Sequence, residues 1–167
     1  MPNSSRFRCP NRYRRRHGHR AACRAVLCRP RFRSGDRSAD VTIDVDSAAD
    51  KRHCTVGHKK KPESAAATKA EINALMGSPQ WQNVKKRLFE QTGTVTDLAT
   101  FDHQGYTGIE MTVTPKAGPA AEALRMVVST IETAKGRTAL ICVADRDSFG
   151  AALPEFRAVR ATIRAPE

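Results

Sequence analysis

The sequence predicts an α+β fold: a mainly antiparallel sheet with helices packed against it, in the order β-β-α-α-β-β-β-β-α. Three observations predict it. Short stretches of alternating apolar and polar residues recur along the chain, the period of half-buried strands. Two well-punctuated helical stretches stand together in the first half. The last four strand stretches are joined in pairs by tight turns, which only antiparallel neighbours allow.

Val41-Thr-Ile-Asp-Val-Asp46 alternates cleanly and reads as the first strand. His53–His58 reads as the second, with Cys54 and Val56 on one face and His53 and Thr55 on the other. Lys59, Lys60 and Lys61 follow; a solvated edge or turn is the simplest reading of such a run, with phosphate contact as the alternative. Thr68-Lys-Ala-Glu71 has the capping-box form, and Ile72, Leu75 and Met76 follow on one helical face up to Gly77, a left-handed cap candidate. Ser78 then caps a second helix with Pro79 at its first position. Its expected buried stripe is Trp81, Val84, Leu88 and Phe89, with Lys85, Lys86 and Arg87 in water and Gly93 ending it.

Beyond Gly93 the period returns to two. Val95–Phe101 and Tyr106–Thr114 read as a hairpin in which Gly105 supplies positive φ. Leu124–Thr133 and Thr138–Ala144 read as another, turning at Ala134-Lys-Gly-Arg137. The unbroken apolar run Ala139–Ala144 predicts a central strand covered on both sides. Asp145–Ser148 returns to solvent. A closing helix is predicted from Pro154 to Ile163, burying Phe156, Val159 and Ile163 and showing Arg157, Arg160 and Arg164.

Charge divides the chain more sharply than hydropathy does. The first 37 of 167 residues hold twelve Arg, no Lys and a single acid, Asp36; the other 130 hold 17 basic and 16 acidic residues. One folded unit, residues 40–167, with a disordered arginine-rich arm, residues 1–39, is therefore expected. The arm supports three readings. As a nucleic-acid tether, Arg12, Arg14, Arg15, Arg16 and Arg20 would contact phosphates while Phe7, Tyr13 and Phe32 stack on bases. As an organellar transit peptide it has the arginine but lacks an amphipathic face. As a mis-assigned or frameshifted start it has the residue set of a GC-rich gene read out of frame, and this reading accounts best for arginine without lysine. Cys9, Cys23 and Cys28 beside His17 and His19 lack the close pairing of zinc modules, so no metal site is expected.

Function is less legible. No apolar run reaches the roughly 20 residues of a membrane-spanning helix, and the chain as written is not expected to carry a usable signal peptide. There is no glycine-rich phosphate loop, nucleophile elbow or His-Glu-x-x-His, so no catalytic residues, metal or cofactors are assigned and an enzyme is not argued for. Cys54 and Cys142 are expected in strands: inert buried thiols in a reducing compartment, a disulfide in an oxidising one. His103, Tyr106 and Glu110 form a candidate ligand-contact loop, which a small hydrolase could also use. Asp145 and Asp147 are expected to cap the next turn.

From Met126 to Ile163 the chain runs strand, Lys135-Gly-Arg137 turn, apolar strand, short acidic turn, then Pro154-Glu-Phe156 and an amphipathic helix. In this it resembles small PsbP-like α/β domains. It is also similar to uncharacterised exported proteobacterial proteins with a like Ser78-Pro-Gln-Trp81 helix and Gly136-Arg-Thr138 strand. The resemblance covers residues 70–165. It implies an antiparallel sheet flanked by helices, an exported, periplasmic or extracytoplasmic setting, and a non-enzymatic binding or accessory role toward an unidentified protein or small ligand. The alternative is a nucleic-acid-binding protein that uses the arm as an electrostatic tether.

Overall fold

A computed structural model of the chain describes residues 41–46, 52–118 and 121–166. Six strands form one sheet: β1 (Val41–Asp46), β2 (His53–Lys60), β3 (Gly93–His103), β4 (Tyr106–Pro115), β5 (Leu124–Thr133) and β6 (Gly136–Asp145). Three helices pack on it: α1 (Lys69–Gly77), α2 (Pro79–Glu90) and α3 (Phe149–Thr162). The strand order is β1-β2-β6-β5-β4-β3, and every neighbouring pair is antiparallel. β3 to β6 form a meander that runs from the far edge back to β2; α1 and α2 make the single long crossing. The element order and the antiparallel α+β class are those read from the sequence.

The helix starts follow their signals closely. Thr68 Oγ1 accepts the Glu71 amide, and the Glu71 carboxylate accepts the Thr68 amide at 2.8 Å, so both halves of the capping box form. That contact also holds the exposed Glu71 carboxyl below its ordinary range. Ser78 Oγ accepts the Trp81 amide at the start of α2. In the β3–β4 turn Gln104 and Gly105 both take positive φ, 57° and 75°.

Four expectations are corrected. Gly77 is the last residue of α1 rather than a left-handed cap, and Gly93 opens β3 instead of closing α2; a Cβ at Gly93 would collide with the Val113 side chain and the Thr114 carbonyl. α3 begins at Phe149 and carries Pro154 inside it. Phe149, Ala152 and Phe156 are buried at i, i+3 and i+7, and this stripe outweighs the loss of one amide donor at the proline. Asp145 and Asp147 do not cap α3; its N-cap is Ser148, without a side-chain cap bond. They line a shallow surface depression with Glu122, Ala123, Arg146 and Ser148.

The helices cover the sheet diagonally. α1 and α2 lie over β3 to β5 on one face, above Ile109, Met111, Val113 and Val128. α3 lies over β5 and β6 on the other, above Val127, Leu140, Cys142 and Ala144. β5 is sandwiched and is buried without a break from Val127 to Thr133. β6, expected to be covered twice, has its α3 face buried while Ile141 on the other reaches solvent. The reason is positional: α1 and α2 stop short of it. None of the helices among the described residues is long and apolar enough to cross a membrane.

Candidate functional site

Cys54 and Cys142 stand directly opposite each other in the β2–β6 ladder and are bonded, with Cα atoms 4.0 Å apart. Both are buried in the α3-side core. The bond joins residues 88 apart in sequence, fastening the β1–β2 ribbon to the meander.

His103, Tyr106 and Glu110 each have a partner of their own. His103 is buried, and its Nε2 lies 2.8 Å from the Ile163 carbonyl. A carbonyl only accepts, so the ring proton sits on Nε2 and the imidazole ties the β3–β4 turn to the end of α3. Gln104 Nε2 donates to the same carbonyl at 3.0 Å. The Tyr106 ring is buried, with the Lys69 ammonium over it at 4.2 Å, and Lys69 Nζ also donates to the Gln104 carbonyl.

Glu110 reaches from β4 toward α3. Arg157 donates to its Oε1 through Nε at 2.9 Å and Nη2 at 2.7 Å, Arg160 donates to Oε2, and Ser129 Oγ donates at 3.3 Å. Arg160 was expected in water. Instead its guanidinium lies flat on the Phe101 ring, 3.8 Å from the centroid, and burial pushes its pKa down while Glu110 pulls it up. Gly108 opposite Phe101 makes this fit: a Cβ there would meet the ring at 2.3 Å.

A second ionic cluster was not foreseen. On α2 the buried residue is Lys85, 3 % exposed, while Val84 and Leu88 are 52 % and 51 % exposed. The helix is turned so that Trp81, Lys85 and Phe89, spaced by four, face the sheet. Glu132 on β5 is what turns it. Its Oε1 accepts from Lys85 Nζ at 3.0 Å and from Arg137 Nε at 2.5 Å; its Oε2 accepts from Lys61 Nζ at 3.0 Å. Three cations thus share one buried carboxylate. Burial alone would raise the Glu132 pKa, but Lys85 and Arg137 hold it below the ordinary range. Lys85 fares the opposite way: burial lowers its pKa, Glu132 opposes this, and the nearby Arg137 and Lys61 charges lower it further. The carboxylate is over-satisfied and each cation under-satisfied.

The remaining expected residues have local roles or lie elsewhere. His53 pairs with Thr55 at 2.9 Å and His58 with Thr138 at 3.2 Å. Arg12, Arg14, Arg15, Arg16 and Arg20, with the arm cysteines and histidines, lie outside the described residues.

The architecture defines the class: an α+β domain whose antiparallel sheet is locked by a cross-strand disulfide. Neither a family model nor a curated protein matches the sequence. Among solved structures it is similar to cyanobacterial PsbP (CyanoP) from Synechocystis sp. PCC 6803, a solution structure, at a TM-score of 0.47 and 10 % identity, over 77 % of this chain and 75 % of that one.

Proposed function

We propose that this chain is an exported, non-enzymatic binding or accessory domain. Residues 40–167 form its folded unit and residues 1–39 are a separate arginine-rich arm. The observation that carries the reading is the Cys54–Cys142 bond at the centre of the sheet, since disulfides persist in oxidising compartments and are rare in the cytosol. The surface supports a binding role: Leu75, Val84 and Leu88 on α1 and α2 are each about half exposed, where an inert helix face would carry polar residues. The ionisable groups of the interior, by contrast, hold elements together: Glu110 ties β4 to α3, and Glu132 ties β5 to α2.

Peptide mapping of protein recovered from its own cells, with free thiols blocked at lysis, tests the reading. A Cys54–Cys142 cross-linked peptide in the extracytoplasmic fraction is expected; both thiols blocked in a cytoplasmic fraction would overturn it. A salt titration on generic DNA separates the tether reading. Steeply salt-sensitive binding, lost in a chain beginning at Ser38, would favour the arm as a nucleic-acid contact instead.

A further inference from the structure

We propose that Lys61, Lys85 and Arg137 form a binding site for a tetrahedral oxyanion, a phosphate or sulfate group, at the end of the sheet where β2 and the β5–β6 turn meet α2. This deepens the binding reading by naming a ligand chemistry, and it stands on the ion cluster, independently of the disulfide and the compartment.

The argument is one of charge and donors. Three cations converge on Glu132, leaving two positive charges uncompensated by any other described carboxylate hydrogen-bonded to them. Donors remain on each. Arg137 uses only Nε on Glu132, so the Nη1/Nη2 edge of its guanidinium carries no hydrogen bond to the described residues. That edge is the fork that pairs bidentately with oxyanions. Lys61 and Lys85 each direct one N–H at Glu132 and have two more. Access is graded: the side chains of Arg137 and Lys61 are 31 % and 22 % exposed, and Lys85 is buried beneath them. The Lys85 ammonium rests over the Trp81 ring, 5.2 Å from its centroid, so its position is set by packing before any ligand arrives. Lys59 and Lys60 stand opposite Arg137 and Gly136 in the β2–β6 ladder and Lys135 is in the adjoining turn, so these exposed residues add positive potential nearby. Burial is the main reason the Lys85 pKa is lowered, and the neighbouring Arg137 and Lys61 charges lower it further.

A small group fits this graded access better than a flat polyanion, because the deepest cation is reached only past two others. A cluster that merely anchored α2 would need one cation for one carboxylate, as Lys85 and Glu132 alone provide. The Glu132 carboxylate occupies part of the oxyanion's natural place, which sets the ligand against an internal competitor.

Titration of the full chain with inorganic phosphate, followed by amide shifts in two-dimensional NMR at low ionic strength, tests the proposal. Saturable shifts at Lys61, Lys85, Gly136 and Arg137 are expected. Arg137→Gln and Lys61→Gln, both at partly exposed positions, should each weaken binding about tenfold while leaving the melting temperature nearly unchanged. Glu132→Gln, if it folds, should tighten binding by removing the competitor. Phenyl phosphate in a parallel titration tells a free ion from an esterified group: tighter binding than inorganic phosphate assigns the site to a larger ligand, equal binding to the ion itself. Shifts confined to residues outside the cluster, such as the arginine arm, would overturn the proposal. So would affinities unchanged in both Arg137→Gln and Lys61→Gln.

Discussion

The two faces of the sheet each bury one glutamate, and the two glutamates are balanced differently. On the α3 face Glu110 meets two arginines, one donating twice to a single carboxylate oxygen and the other stacked on Phe101, so both guanidinium groups are oriented. On the α1–α2 face Glu132 meets three cations from α2, β6 and the segment after β2, two of them lysines and one of those buried. Glu110 behaves as a clasp that fixes a helix. Glu132 also fixes a helix but leaves positive charge over. A buried carboxylate is therefore no guide to function by itself; the ratio of partners around it separates structural pairing from binding potential.

The comparison can be broken from several directions. The largest effect belongs to the α3 face: replacing Cys54 and Cys142 together by Ala should cost on the order of 4 kcal/mol, because their bond closes a long loop. Chemical denaturation of the oxidised protein and the double variant measures it. Glu110→Ala should cost about 3 kcal/mol by leaving Arg160 stacked and half-buried without its counter-charge. A loss below about 1 kcal/mol would mean Glu110 is no clasp.

Glu132→Gln should cost about 2 kcal/mol at neutral pH, and its penalty should depend on pH. The Glu132 carboxyl is held low in the folded state, so the stability it adds is full above its unfolded value and drains away as pH falls through the lower folded one. Melting curves of wild type and Glu132→Gln should converge in acid; a gap independent of pH would contradict the ionic assignment. Lys85→Met is the smallest expected change, within about 1 kcal/mol of wild type in either direction. It removes a cation that is costly to bury and leaves Glu132 with Lys61 and Arg137.

How much of this was legible follows from the range of each interaction. The capping box at Thr68 and the β3–β4 turn are local, so a few adjacent residues declare them. The element order rests on period and punctuation, which also lie in the sequence itself. The facing of α2 does not. Val84 and Leu88 look like core and Lys85 like solvent until Glu132, 47 residues further on, is placed beneath the helix. Arg160 reads as a solvent residue for the same reason: Phe101 and Glu110, which cover it, come from two separate strands. The start of α3 is hidden in the sequence because Pro154 gives a strong local signal that a buried Phe149 overrides. Charges in the interior are set by distant partners, and a single chain read along its length shows every basic residue alike.

The strand order has a consequence for how the molecule is made. β2 finds its partner in β6, the last strand of the meander, so the first ribbon emerges from the ribosome with its inner edge unmatched. Until β6 follows, that edge is open to wrong neighbours, and pairings so distant in sequence form slowly. The cysteine in β2 is thus a latch thrown last. Oxidation there can occur in register only after everything between the two strands has taken its place.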